Sequence, residues 1–253
     1  MENRKLPTYF DIEKNIYIAI DNGKVIRVIS YSMSDDIEKK LDYVVENILK
    51  KYNKENLKSM IYTAVKELAI NGTKANLKRI FFEEKGLDLF NPDDYEKGMS
   101  EYKNYMTEEM ALKYGQIAKK KGLYVRISFY HEPNGMRIEV VNNTPITPQE
   151  EKRLREKMSK IMKYETLMDF YMENQDNTEG AGMGLALVTT MLKAENVDPN
   201  LFRIMTKEDR TIARIEIPFN ENFVTQRSMG KPQEKRDDRK DSTNGETIEE
   251  NIK

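Results

Sequence analysis

The chain has 253 residues, enough for one well-buried domain with appendages. Its 42 Lys and Arg against 43 Asp and Glu leave a formal charge of -1, so no global field draws it to nucleic acid or an anionic membrane. The absence of cysteine excludes disulfides, thiolate metal sites and thiol catalysis. The start, Met1-Glu-Asn-Arg-Lys-Leu-Pro7, lacks the apolar core of a signal peptide, and no later apolar run reaches membrane-spanning length. The expectation is a cytoplasmic protein with no membrane span.

Ile16 to Ile20 and Lys24 to Ser30 flank Asp21-Asn22-Gly23, and an Asn-Gly step between β-branched runs predicts a β-hairpin, giving an N-terminal segment over 1–33. Ser34 is placed to cap a helix that carries Ile37, Leu41, Val44, Val45 and Ile48 at helical spacing and ends near Tyr52. A second helix is predicted from about Glu55 to Glu84, with Leu57, Ile61, Ala64, Leu68 and Ala75 as its apolar stripe. At about 100° per residue, Glu67, Asn71, Lys74 and Lys78 fall in one sector beside that stripe. A solvated charged face is one reading of this sector. Asn71 argues for a ligand, because Asn is a mediocre mid-helix residue and a good oxygen donor to a hard cation.

Residues 86–122 read as an insertion or lid, with turn residues Asn91-Pro92-Asp93-Asp94 and a helical stretch from Ser100 to Lys120. Leu123 to Tyr130 and Met136 to Val141 predict a hairpin around Glu132-Pro-Asn-Gly135. Thr147-Pro148 opens a helix reaching about Lys163, with an N-cap and a proline in its first turn. Gly180-Ala-Gly182-Met-Gly184-Leu185 then introduces an apolar helix, and glycines there let successive amides turn toward one anion at a helix N-terminus. Leu201 to Thr206 and Thr211 to Phe219 read as closing strands, and the polar tail over 224–253 is expected to be disordered. His131, beside a predicted turn, reads as a surface loop histidine.

Glu67-Leu-x-x-Asn71-x-x-Lys74-Ala75 resembles the N box of the GHKL ATPase superfamily, which groups gyrase, chaperone, histidine kinase and mismatch-repair ATPases on the Bergerat fold. The run Gly180-x-Gly182-x-Gly184-Leu185 is similar to that family's second glycine box, and Asp169-Phe170-Tyr171 to the phenylalanine box of histidine kinases. Thr211, seven residues before Pro218, matches the threonine that helps hold the adenine. The likeness covers about Ser34 to Phe219. It implies an α+β two-layer sandwich over 34–223, a mixed sheet covered on one face by helices, following the N-terminal hairpin.

By that resemblance Glu67 is the general base, Asn71 the Mg²⁺ ligand, Lys74 a phosphate contact, and Gly180, Gly182, Gly184 and Leu185 the phosphate loop, with 147–179 as the lid over ATP. The first glycine box departs from the pattern. Asn142 stands where the family has an aspartate that accepts from the adenine amino group, and Thr144 and Ile146 replace glycines. An Asn oxygen still accepts, without charge assistance, whereas a flipped amide donates. Two functions follow as expectations: an ATP- and Mg²⁺-binding signalling protein that phosphorylates a separate protein partner or hydrolyses ATP, or an idle interaction module with a degenerate adenine pocket. Self-phosphorylation of the usual histidine kinase kind is not expected, because no phosphoacceptor histidine precedes the domain.

Overall fold

The computed structural model describes residues 9–105, 107–173, 182–226 and 245–249. Five strands form an antiparallel sheet: β1 (Val25–Ser30), β2 (Val125–Glu132), β3 (Gly135–Asn142), β4 (Phe202–Thr206) and β5 (Thr211–Pro218). A sixth, β6 (Gly245–Glu249), adds parallel to β1, making a mixed sheet of order β4-β5-β3-β2-β1-β6. Helices α1 (Tyr9–Asp21), α2 (Asp35–Lys51), α3 (Lys58–Glu84) and α8 (Met183–Ala194) share one core with the inward residues of the strands, among them Ile26, Val28, Ile127, Phe129, Ile138, Ile215 and Ile217.

The predicted N-terminal hairpin is not present: its first strand is α1. Ile16, Ala19 and Ile20 are buried and Ile12 packs beside them, an i, i+4, i+7, i+8 pattern that outweighs the β-branched content of the run. Asn22-Gly23 ends this helix instead of turning a hairpin. Gly23 takes φ +68°, Gly23 N donates to Ile20 O and Lys24 N to Ala19 O, both at 2.9 Å, the paired bonds of a Schellman motif. The Lys51 ammonium from α2 supplies the missing cation at this C-terminus, donating to the carbonyls of Ile20 (2.7 Å) and Asp21 (2.8 Å).

Most other elements follow their sequence signals, but the insertion does not. A helix already begins at Pro92, among the predicted turn residues, and Thr107 caps a second helix within the stretch predicted as one helix from Ser100 to Lys120. Ser34 accepts from Ile37 N at the start of α2, and a 3-10 turn over Glu55–Leu57 leads into α3. Helix α6 (Pro148–Ile161) begins with a full capping box between Thr147 and Glu150, and α7 (Leu167–Glu173) follows it. The insertion is two helices, α4 (Pro92–Tyr105) and α5 (Glu108–Lys121). They build a second core on the C-terminal half of α3, from Leu77, Ile80, Phe81, Phe82, Tyr95, Tyr102, Tyr114 and Ala118.

The expected disordered tail is corrected at 245–249, because β1 without β6 would be an edge strand presenting unpaired backbone groups. Deleting 227–253 is therefore expected to speed amide exchange across β1 while leaving β3 and β5 protected; unchanged protection in β1 would contradict this pairing.

His131 is likewise not a loop residue. It ends β2 partly buried, its Nε2 donating to Lys24 O (3.0 Å) and its Nδ1 accepting from Tyr52 OH (2.9 Å), and these two bonds fix the neutral tautomer. Burial pushes its pKa down to about 4, with the Lys24 carbonyl opposing and the Lys51 ammonium adding to the depression. A folded pKa below the unfolded 6.5 means that the contribution is complete above that pH and lost as pH falls through about 4. It is on the order of 3 kcal/mol. Urea unfolding between pH 7 and 4 is expected to show a shallower loss of stability in His131→Phe than in the wild type; equal slopes would contradict this.

Candidate functional site

The strands β3 and β5 end side by side, Asn142 opposite Thr211, next to the middle of α3. Between this sheet end, α3, α4, α6 and the start of α8 lies a cleft of about 610 Å³, within the range of small-molecule sites. Glu67, Asn71, Lys74, Asn142, Gly182, Gly184, Leu185 and Thr211 all line it, although they come from four segments spread over more than a hundred residues of chain. Gly180 lies outside the described residues.

At one end α8 meets α3. A Cβ on Gly184 would stand 2.3 Å from Glu67 Oε2 and 3.6 Å from Asn71 Nδ2, so the missing side chain is what admits the Glu67 carboxylate to the helix N-terminus. Gly182 holds φ +127°, a conformation L side chains rarely adopt, and no side chain caps the helix there. Phe170, buried edge-on against Tyr164 with ring centroids 5.4 Å apart, braces this turn, its Cζ 3.6 Å from a Cβ built on Gly182. The first-turn amides of α8 thus have no intrahelical acceptor, and the dipole favours an anion beside them. In this structure the Glu67 carboxylate is the nearby anion.

At the sheet end Asn142, Thr144 and Thr211 form a connected hydrogen-bond network. Asn142 Nδ2 donates to Gly72 O at 3.3 Å, and since a carbonyl takes only a donor, this bond assigns the amide orientation. Asn142 Oδ1 then lies toward Thr144, whose single hydroxyl proton has two acceptors, Asn142 Oδ1 (3.1 Å) and Asn76 Oδ1 (3.2 Å). The Asn142 oxygen therefore keeps capacity to accept from a ligand N–H. Thr211 donates to Thr144 O at 3.3 Å, and Ile146 lines the cleft beside it.

Sequence reasoning missed the wall that α4 provides. Tyr95, Met99 and Tyr102 line the cleft at i, i+4, i+7, a spacing that was legible as one helix face. It also missed the cations from α6, Arg153 and Lys157, and the role of Arg79. Five cationic side chains, Lys74, Lys78, Arg79, Arg153 and Lys157, face two carboxylates, Glu67 and Glu150, so the cleft suits an anionic ligand. His131 cannot share it: in the β2–β3 register it pairs with Met136, six residues along β3 from Asn142, about 20 Å away.

No group of three or more His, Asp or Glu suited to a metal ion occurs among the described residues. No described helix is long and apolar enough to cross a membrane. No family model and no solved structure matches the chain. It is 35% identical over 216 residues to an uncharacterized protein of Treponema pallidum (strain Nichols), an alignment covering 85% of this chain. The chain spans 42% of that relative's length.

Proposed function

We propose that the chain is an ATP- and Mg²⁺-binding signalling protein of the GHKL type, on a Bergerat-type sandwich, acting in the cytoplasm on a separate protein partner or hydrolysing ATP. The observation that carries this reading is the convergence of Glu67, Asn71, Lys74, Asn142, Gly182, Gly184, Leu185 and Thr211 on one cleft. The first-turn amides of α8, which have no side-chain cap, and the excess of cations suit a triphosphate; the Asn142 oxygen suits an exocyclic amino group.

Asn71 is an exposed residue whose amide lies, with the Glu67 carboxylate, beside Gly184; turned to present its oxygen, that amide would suit a Mg²⁺ that arrives with phosphate oxygens and water and not a preformed protein cage. Bound there, Mg²⁺ would neutralise charge on the phosphates. Glu67 would accept the proton of the attacking water or hydroxyl, Lys74 would pair with the phosphates, and α6 and α7 would shield them from solvent. Purified protein incubated with γ-labelled ATP is expected to release labelled phosphate only with Mg²⁺ present, or to pass the label to its partner. Release that does not depend on Mg²⁺ would contradict the assignment.

A second reading, an idle module keeping the fold for protein contacts, has its own support. Thr211 spends its hydroxyl on Thr144 O, and Asn142 is already bonded on both sides. Under that reading ATP does not bind.

A further inference from the structure

The α4 side of the cleft holds more positive charge than its neighbours neutralise. Lys78 is paired with Glu150, whose other oxygen accepts from Thr147 N at 3.0 Å. Arg79, partly buried, donates only to main-chain carbonyls, Ala75 O at 3.0 Å and Pro145 O. Arg153 lies 5.0 Å over the Tyr95 ring, which Lys78 also approaches at 5.5 Å. Neither guanidinium has a carboxylate partner among the described residues. Burial pushes the Lys78 ammonium down to about 8, and Arg79 and Arg153 add to that depression.

The partly buried Arg79 guanidinium, without an anion, carries a desolvation cost that a bound oxyanion relieves; Arg153 adds an exposed guanidinium beside it, and the planar forks match phosphate and carboxylate oxygens in pairs. Access exists from a second side: a groove between α4 and α6 shares Tyr95, Met99 and Arg153 with the cleft. On α3, Arg79 stands eight residues beyond Asn71, about 12 Å along the axis.

We propose that Arg79 and Arg153 form a second oxyanion subsite at the α4 side of the cleft, apart from the glycine-loop end, for a phosphate or carboxylate group of a small molecule. The inference does not depend on the cleft binding ATP. Calorimetric titration of the full chain with inorganic phosphate at constant ionic strength tests it, against Arg153→Gln, Arg79→Gln and Arg155→Gln.

Arg155 pairs with Glu151 on the same helix and lies outside the cleft, so its variant removes equal charge elsewhere. Saturable binding is expected in the wild type and in Arg155→Gln, weakened roughly tenfold or more in the other two, as for loss of a charge-assisted bond. Arg153 is exposed on α6, so Arg153→Gln keeps the fold even where Arg79→Gln does not. Absence of saturable binding in the wild type, equal binding by Arg153→Gln, or equal weakening by Arg155→Gln would overturn the proposal. Displacement of the phosphate by ATP assigns the subsite to the nucleotide's own phosphates; retention beside ATP assigns it to a separate ligand. Phosphate binding in a chain that does not bind ATP leaves this subsite standing and removes the nucleotide reading.

Discussion

Under the proposed function, Glu67→Ala is expected to lower ATP turnover by about 10²- to 10⁴-fold, the range for removing a positioned general base, while ATP affinity changes by only a small factor. The split follows from position. Glu67 sits against the α8 N-terminus, where a Cβ on Gly184 would reach its carboxylate, so it is placed to act on a group held by those amides. Its negative charge also opposes an incoming phosphate, and removing it relieves that repulsion. Steady-state kinetics with an equilibrium titration of the same variant check this. Undiminished turnover would remove Glu67 as the base, and a large loss of affinity would make it a ligand contact instead.

Gly98→Ala is expected to destabilise the fold by overpacking the second core. A Cβ on Gly98 would stand 2.3 Å from Phe82 Cζ and under 3 Å from both Cε atoms of that ring. Phe82 cannot yield easily: it is 1% exposed, tilted against Tyr95 at 6.0 Å between centroids and edge-on to Phe81 at 6.1 Å. Overpacking of this kind costs about 1–3 kcal/mol, against about 1 kcal/mol gained in helix propensity, so a net loss of about 1 kcal/mol is expected, rising to about 2 kcal/mol where the ring cannot move. Because α4 carries Tyr95, Met99 and Tyr102 into the cleft, ligand affinity should fall with it. Urea unfolding of Gly98→Ala measures the first effect, and stability equal to the wild type would show that α4 does not pack as described.

The site was more legible in the sequence than its frame. Glu67, Asn71, Lys74 and Gly184 stood out because a helix face and a glycine loop demand particular residue types at fixed spacing, and the fold brings them together. Asn22-Gly23 misled because the same dipeptide serves a hairpin turn and a Schellman cap; only the burial of Ile16, Ala19 and Ile20 decides between them. The strand at 245–249 was hidden because its pairing with β1 is made by the backbone across more than two hundred residues of chain. Arg79 gave no signal, since its partners are main-chain carbonyls, and Pro145 O lies 66 residues away. For Asn142 the sequence left open which way the amide points, and its Nδ2 donates to the Gly72 carbonyl.

Direct titration of the purified chain with ATP tests the central claim, with and without Mg²⁺ and with Asn71→Ala as the comparison. Saturable binding that Mg²⁺ strengthens, and that Asn71→Ala makes insensitive to Mg²⁺, is the predicted result. No saturable binding at millimolar ATP would contradict it and leave the cleft to another ligand or to none.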